Sequence, residues 1–309
     1  MFELRDSSQE ILRYKVMRYI SIILPSYNYA HHLREAVDSV CAQTYPHWEL
    51  LIVDDGSHDD SVSIAENYAI RDARIRVLRH QDGVNHGLAA TLLLGIRHAM
   101  HDVVAFLEAD DAWEPESLAI RLESLQQPDT ALVFNVPRLV VESERVIEYY
   151  QGIITTLMTV IAKRQPPQVK GHELMATNLI PSFSCVMTVR DLLLACDYLS
   201  PSPPGLDKWL WQQLSLYGAC RFVPLPLTRW RLHEQSYIST YAGDAAKEKR
   251  LWREKTQQLL SGRAALSQNP GLWATRYFPT LHSLVVRGWL KLRAQGVSAV
   301  LRAAWKRLP

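Results

Sequence analysis

Residues 106–115 read Phe106-Leu107-Glu108-Ala109-Asp110-Asp111-Ala112-Trp113-Glu114-Pro115, and the fold turns on how they are read. The run leading into them, Val103 to Leu107, is apolar, β-branched at its start, and has the length of a buried strand. Three carboxylates, Glu108, Asp110 and Asp111, then arrive within four residues. Gathered at a strand end, each pair repels by about 4 kcal/mol at contact distance in an effective dielectric of about 20. A divalent cation offsets that cost, because hard metals such as Mg²⁺ take oxygen ligands and often hold a substrate's phosphates as well. Taken alone, the stretch also suits an acidic turn, with Asp111 capping the next helix and Pro115 in its first turn.

Outward from this point, strands and helices alternate. Ile20 to Leu24 is a β run that stops at Pro25, and Pro25-Ser26-Tyr27-Asn28-Tyr29 forms a loop with a ring and an amide at its tip. A helix is predicted from about Ala30 to Gln43, with Leu33, Ala36, Val37 and Val40 at helical spacing. Glu49 to Val53 is a second strand, ending on Asp54-Asp55-Gly56-Ser57. A helix over 59–71, a strand Ile75 to Leu78, a glycine-containing loop at 83–87 and a helix over 88–100 complete the set. This alternation argues an α/β, mostly parallel, doubly wound sheet with right-handed crossovers. Ligands of such sheets bind beyond the carboxyl ends of the strands. Pro25–Asn28, Asp54–Asp55 and Glu108–Asp111 all lie there. No G-x-G-x-x-G follows the first strand, which excludes the dinucleotide-binding version.

Past residue 128 the pattern changes. Thr130 to Phe134 reads as a strand, Arg138 to Tyr149 as a polar β-rich hairpin, and Phe183 to Met187 as a further buried strand. Pro201-Ser-Pro-Pro-Gly-Leu206 is a rigid loop that delivers Asp207 to the start of a helix, Lys208 to Tyr217. Leu225 to His233 is a strand ending in Arg231-Leu-His233. The 309 residues, 48% of them apolar, suffice for a sizeable core. Residues 245–309 hold 13 Lys/Arg against 2 Glu, net +11, so the overall +2 leaves −9 for the first 244. An acidic body with a basic helical tail points to an anionic partner for the tail. Membrane lipid is the expectation, with Trp289 and Trp305 at the headgroups, beside packing on the body or on a partner subunit. Nucleic acid is not expected. The four cysteines form no CxxC pair and read as reduced thiols packed in the core of a cytoplasmic protein, peripheral at the inner face of the membrane if the tail binds there.

Four segments, Ser21-Ile-Ile-Leu-Pro-Ser-Tyr-Asn28, Gln43-Thr-Tyr-Pro46, Leu51-Ile-Val-Asp-Asp-Gly-Ser57 and Phe106 to Pro115, fall in order and closely resemble the family 2 glycosyltransferases with the GT-A fold. The resemblance is strong over 20–125 and traceable to about 240. It implies an N-terminal arm (1–18), a catalytic domain (19–240) with a nucleotide-sugar half (20–127) and an acceptor half (128–240), and a basic helical region (241–309) with the C-terminal helices. It also implies inverting transfer from a nucleotide-diphosphate sugar, a UDP-sugar first, to a saccharide or lipid-linked acceptor, with Mg²⁺ or Mn²⁺ as cofactor. Residue by residue, Pro25, Tyr27, Asn28, Asp54, Asp55 and Arg76 would line the nucleotide. Arg79 and His80 offer further cations there. Asp110 keeps the metal position of the family's D-x-D. Glu108 stands where the first Asp usually does, and its longer arm leaves it to either metal or ribose. His86 and Arg231 would meet diphosphate or sugar, His233 would be a further metal ligand, and Asp207 would be the general base. Thr91 and Leu92 replace the family's frequent Arg-Asn. Glu108 and that departure leave room for a nucleotide-sugar binder without transfer; a nucleotidyltransferase is a third option, but it wants a Lys/Arg-rich glycine loop after the first strand, which Pro25 to Tyr29 does not supply.

Overall fold

The computed structural model describes residues 18–142, 147–176, 178–198, 205–233 and 250–259. In chain order the elements are β1 (Ile20–Ser26), α1 (Ala30–Cys41), β2 (Trp48–Asp54), α2 (Ser61–Arg71), β3 (Ile75–Arg79), α3 (Leu88–His98), β4 (Val103–Phe106), β5 (Ala112–Trp113), α4 (Ser117–Leu125), β6 (Thr130–Val141), α5 (Ile147–Thr156), β7 (Gln168–Val169), α6 (Gly171–Ala176), β8 (Val186–Val189), α7 (Arg190–Leu194), α8 (Leu206–Leu214) and β9 (Ala219–Leu232). Among the described residues the strands make one nine-stranded sheet in the order β3-β2-β1-β4-β8-β6-β9-β5, with β7 also on β9. The β3-β2-β1-β4 half is wholly parallel. β8 runs antiparallel to both β4 and β6, whereas β6 and β9 run parallel. The carboxyl ends of β1, β2, β4 and β9 therefore meet at one edge.

Side chains alternate through the sheet. Ile23, Leu51, Val53, Val104 and Phe106 face one core with Leu92 and Ile96 of α3 and Leu210 and Trp211 of α8. Ile22, Leu24, Leu50, Ile52 and Ala105 face the other, with Leu33 and Val37 of α1, Ile64 of α2 and Leu118 of α4. This period of two across a doubly covered sheet gives the central strands their continuous apolar sequences.

Several expectations need correction. Strand β1 does not stop at Pro25 but runs on to Ser26. The Leu107 amide donates to the Ile23 carbonyl, so odd positions of β1 face β4, whose pairing ends at Ile23. Pro25 thus lies where no ladder donor is needed. Residues 138–141 do not turn into a hairpin, since β6 continues along β9 through Val141 and α5 begins at Ile147. Bulges at Asn135 and Val136 carry that ladder past Pro137 and Pro226. Phe183–Cys185 is a 3-10 turn, and the strand starts only at Val186. Cys185 and Cys220 are buried, but Cys41 is exposed. Residues 1–17 of the arm, Pro201 to Pro204 and the tail from 260 to 309 lie outside the described residues, and with them the amphipathic reading of the tail.

Candidate active site

The nucleotide-side residues stand at the ends of β1 and β2. Asn28 takes a left-handed φ of 58°, its Oδ1 accepts from the His58 amide at 2.8 Å, and its own amide donates to Ser57 Oγ at 2.9 Å. Tyr27 is exposed at the tip. Asp54 Oδ2 accepts from the Gly56 and Ser57 amides, both at 3.1 Å. Its Oδ1 is buried without a partner among the described residues, a costly state for a carboxylate oxygen. Asp55 is fully engaged: Oδ1 accepts from the His86 amide at 2.8 Å and Oδ2 from the Gly87 amide at 2.9 Å. It thereby pins the 83–87 loop against Gly56, where a Cβ would lie 2.8 Å from the Val84 carbonyl carbon. Gly56 also has a φ of +78°, so both space and conformation require glycine.

Two expected contacts are elsewhere. Arg76 pairs with Glu49 at 3.1 Å and donates to the His98 carbonyl, at the opposite end of the strands from the site. Arg79, at the end of β3, is the arginine beside Asp54, with Nε 3.9 Å from Oδ2. His86 offers its backbone to the site, but its ring lies 2.9 Å from Asp82. Thr91, in place of an arginine, donates to the Gly87 carbonyl at 3.0 Å and stands 3.4 Å from His80 Nε2, closing the loop rather than reaching outward.

The acid turn is built from both halves of the chain. Asp111 is not a helix cap: it is buried, Oδ1 accepts from the Arg231 amide at 2.9 Å and Oδ2 from Ser182 Oγ at 3.2 Å, while α4 starts only at Ser117. Arg231 Nε donates to the Asp110 carbonyl at 3.0 Å, and its Nη2 reaches Glu35 at 2.6 Å. Its Nη1 reaches Glu142. The guanidinium is thus held by two carboxylates, and its role in the structure is to shape the turn. Glu108 does not turn toward Asp110. Its extra methylene carries Oε2 to Ser182 Oγ at 2.7 Å, and its amide donates to Ser184 Oγ at 2.9 Å. Burial, then the neighbouring Asp110 charge, pushes the Glu108 and Asp111 carboxyls well above the usual range. Trp113 is buried structure: Nε1 donates to the Ser184 carbonyl at 2.7 Å, and the Arg121 guanidinium lies 4.3 Å over its ring.

Asp110 faces outward. His233 Nε2 is 3.0 Å from its Oδ2, and Tyr29, whose hydroxyl burial and the Asp110 charge hold in the neutral form, stands beside it. Among the described residues no three His, Cys, Asp or Glu side chains converge into a metal site. The expected trio Glu108, Asp110 and His233 is therefore not assembled. Asp110 and His233 remain as a two-donor pair. That suits a cation such as Mg²⁺, which takes one or two carboxylates and completes its shell with waters and substrate phosphate.

Asp207 lies in the first turn of α8, after the cap residue Gly205. Asn178 Nδ2 donates to its Oδ2 at 2.6 Å. Burial pushes its carboxyl up to about 6, and its charge is felt by Glu108 across the site. Tyr29, Asn178, Ser182 and Glu35 escaped the reading of the sequence. Tyr29 was visible in the Pro25–Tyr29 loop as a ring, but its place beside Asp110 was not.

A β3-β2-β1-β4 parallel half with its acid turn at the carboxyl edge is extended by a mixed half that carries His233 and Asp207, giving an α/β domain with one carboxylate-rich site at the edge of its sheet. The glycosyl transferase family 2 profile matches residues 21–193, and the chain belongs to that family. The putative teichuronic acid biosynthesis glycosyltransferase TuaG of Bacillus subtilis is 36% identical over 115 residues, 37% of this chain and 45% of TuaG. The chain thus spans under half the length of that relative. The Escherichia coli UDP-Glc:alpha-D-GlcNAc-diphosphoundecaprenol beta-1,3-glucosyltransferase WfgD is 24% identical over 62% of this chain and 68% of its own. Among solved structures, S. aureus TarS with UDP-GlcNAc aligns at TM-score 0.58, 18% identity, over 75% of this chain and 64% of its own. The mannosyltransferase PcManGT from Pyrobaculum calidifontis, with GDP-Man and Mn²⁺, aligns at TM-score 0.56, 16% identity, over 95% and 89%. The fold is GT-A.

Proposed function

We propose that the chain transfers a sugar from a nucleotide-diphosphate donor, a UDP-sugar first, to an acceptor hydroxyl with inversion. The observation that carries the reading is Asp207: a carboxyl raised to about 6 by burial and standing across from the acid turn. A base near the working pH is effective because it is both ionised and willing to take a proton. Asp207 removes the proton of the acceptor hydroxyl as that oxygen bonds to the anomeric carbon. The bond from that carbon to the diphosphate oxygen breaks on the opposite face, and the nucleoside diphosphate leaves with the electron pair.

The remaining residues bind and orient. Asp54 Oδ1, buried and without a hydrogen-bond partner among the described residues, suits the N–H of a uracil-like edge, with Tyr27 and Asn28 beside it. Arg79 supplies positive charge at that edge. Asp110 and His233 would hold a Mg²⁺ or Mn²⁺ ion, which supplies charge neutralisation for the departing diphosphate. Glu108, turned to Ser182, fits the sugar or ribose side better than the metal. The neighbours' UDP-GlcNAc and GDP-Man support a nucleotide-sugar donor, and WfgD supports a lipid-linked saccharide acceptor. Such an acceptor would bring the chain to the inner face of a membrane, with the +11 tail as the contact. No helix among the described residues is long and apolar enough to cross one. The test is the anomeric configuration of the product, read by NMR from a donor of known configuration. A retained configuration would exclude Asp207 as the base of a single displacement.

A further inference from the structure

Residues 250–259 form a helix that lies against α8, at the point where the basic region begins. Its Trp252 meets the chain on both sides of Asp207. Before it, a Cβ on Gly205 would fall 2.2 Å from Trp252 Cζ2, so the indole sits directly on the glycine. Gly205 has an ordinary φ of −119°, and its lack of a side chain is therefore required by this contact and not by conformation. After Asp207, Lys208 Nζ lies 4.7 Å from the centroid of the Trp252 ring, within cation–π reach. A second pair locks the same interface: Lys255 Nζ lies 5.4 Å from the Trp209 ring and 3.4 Å from Asp197 Oδ2, and the rings of Trp209 and Trp252 meet edge-on at 6.3 Å. The Gly205 cap of α8 makes no side-chain hydrogen bond, and Asp207 itself is held by Asn178 Nδ2.

We infer that Trp252 is a positioning residue for the transfer: its indole, seated on Gly205 and against Lys208, sets the backbone turn from which Asp207 faces the acid turn. The inference rests on the reading of Asp207 as the base. It makes the start of the basic region part of the catalytic unit, because the helix that anchors that region also holds the base in place. A misplacement of about 1 Å far from the chemistry can cost about 100-fold in rate, which sets the scale of the effect expected when the indole is lost.

The test uses the full chain carrying Trp252→Ala or Trp252→Phe. Two readouts are taken: amide hydrogen exchange over 205–210, and release of nucleoside diphosphate from UDP-glucose, UDP-N-acetylglucosamine and GDP-mannose. The Ala variant is expected to exchange faster over 205–210 with no change in β1 and β2. Its kcat should fall about 10- to 100-fold with donor KM essentially unchanged, and Phe should restore most of both. Unchanged exchange in the Ala variant, or faster exchange with unchanged kcat, overturns the inference. Full activity of Asp207→Asn would instead sink the assignment of the base and the positioning role with it. The exchange readout needs no turnover, so it decides whether the clamp exists whatever the donor.

Discussion

Replacing Asp207 by Asn should weaken catalysis and strengthen the fold at the same time. Burial lifts this carboxyl from 3.8 to about 6, a difference of about 2.2 pK units, or about 3 kcal/mol as an upper bound. The sign follows from the direction. A carboxyl whose folded pKa is raised contributes its stability fully below the unfolded value, near 3.8, and loses it as pH rises through about 6. Wild-type protein should therefore lose up to about 3 kcal/mol from this group between pH 4 and pH 7. The Asn variant cannot titrate, and its amide can still meet Asn178, so it escapes that loss. Urea unfolding of both proteins across this range reads the effect, because titrating groups that do not feel Asp207 cancel in the difference, whereas Glu108, which feels its charge, adds to it. The variant should gain on wild type as pH rises, while nucleoside diphosphate release falls about 100- to 10,000-fold. In the wild type, kcat should decline below about pH 6 as the base protonates. A flat stability difference would refute the argued burial of the charge, and full activity in the folded variant would refute the role.

Arg231→Ala takes the arginine from Glu142, leaves Glu35 with Arg229 alone and removes the grip on the Asp110 carbonyl. It should cost about 2 kcal/mol in urea unfolding, the scale of hydrogen bonds to charged groups, and lower kcat, whereas a diphosphate contact alone would leave stability unchanged. Asp54→Asn turns one acceptor edge into a donor, and UDP measured by calorimetry should bind about 10-fold more weakly, about 1.4 kcal/mol. An unchanged affinity would remove Asp54 from the base pocket.

The sequence carries the first four strands and their helices plainly, because the runs of β1, β2 and β4 end in a proline, an Asp-Asp-Gly and an acidic cluster, and β3 is followed by a glycine-containing loop. It carries the edge at which ligands bind, because parallel strands put it at their carboxyl ends. The same rule favours Arg79 over Arg76, since the later residue of β3 is the one at that edge. The partners of the acid turn are not legible. Ser182 and Arg231 reach Glu108, Asp110 and Asp111 from 71 to 121 positions away in the chain, beyond any local pattern. Asp111 resembles a helix cap because β5 is two residues long, too short to leave a period. The continuation of β6 through Val141 is hidden for a related reason: its partner, β9, comes some ninety residues later. Glu108 reads as a conservative replacement in a metal motif, and only the position of Ser182 explains where its longer arm goes.

The most direct measurement mixes the folded protein with UDP-glucose, UDP-N-acetylglucosamine and GDP-mannose in the presence of Mn²⁺ and follows nucleoside diphosphate release. Wild type, Asp110→Ala and Asp207→Asn are compared, each checked for native circular dichroism. Release by the wild type from at least one donor, lost in both variants, is the expected result. Full turnover in both folded variants would contradict the assignment of the acid turn and of Asp207 as the reacting centre.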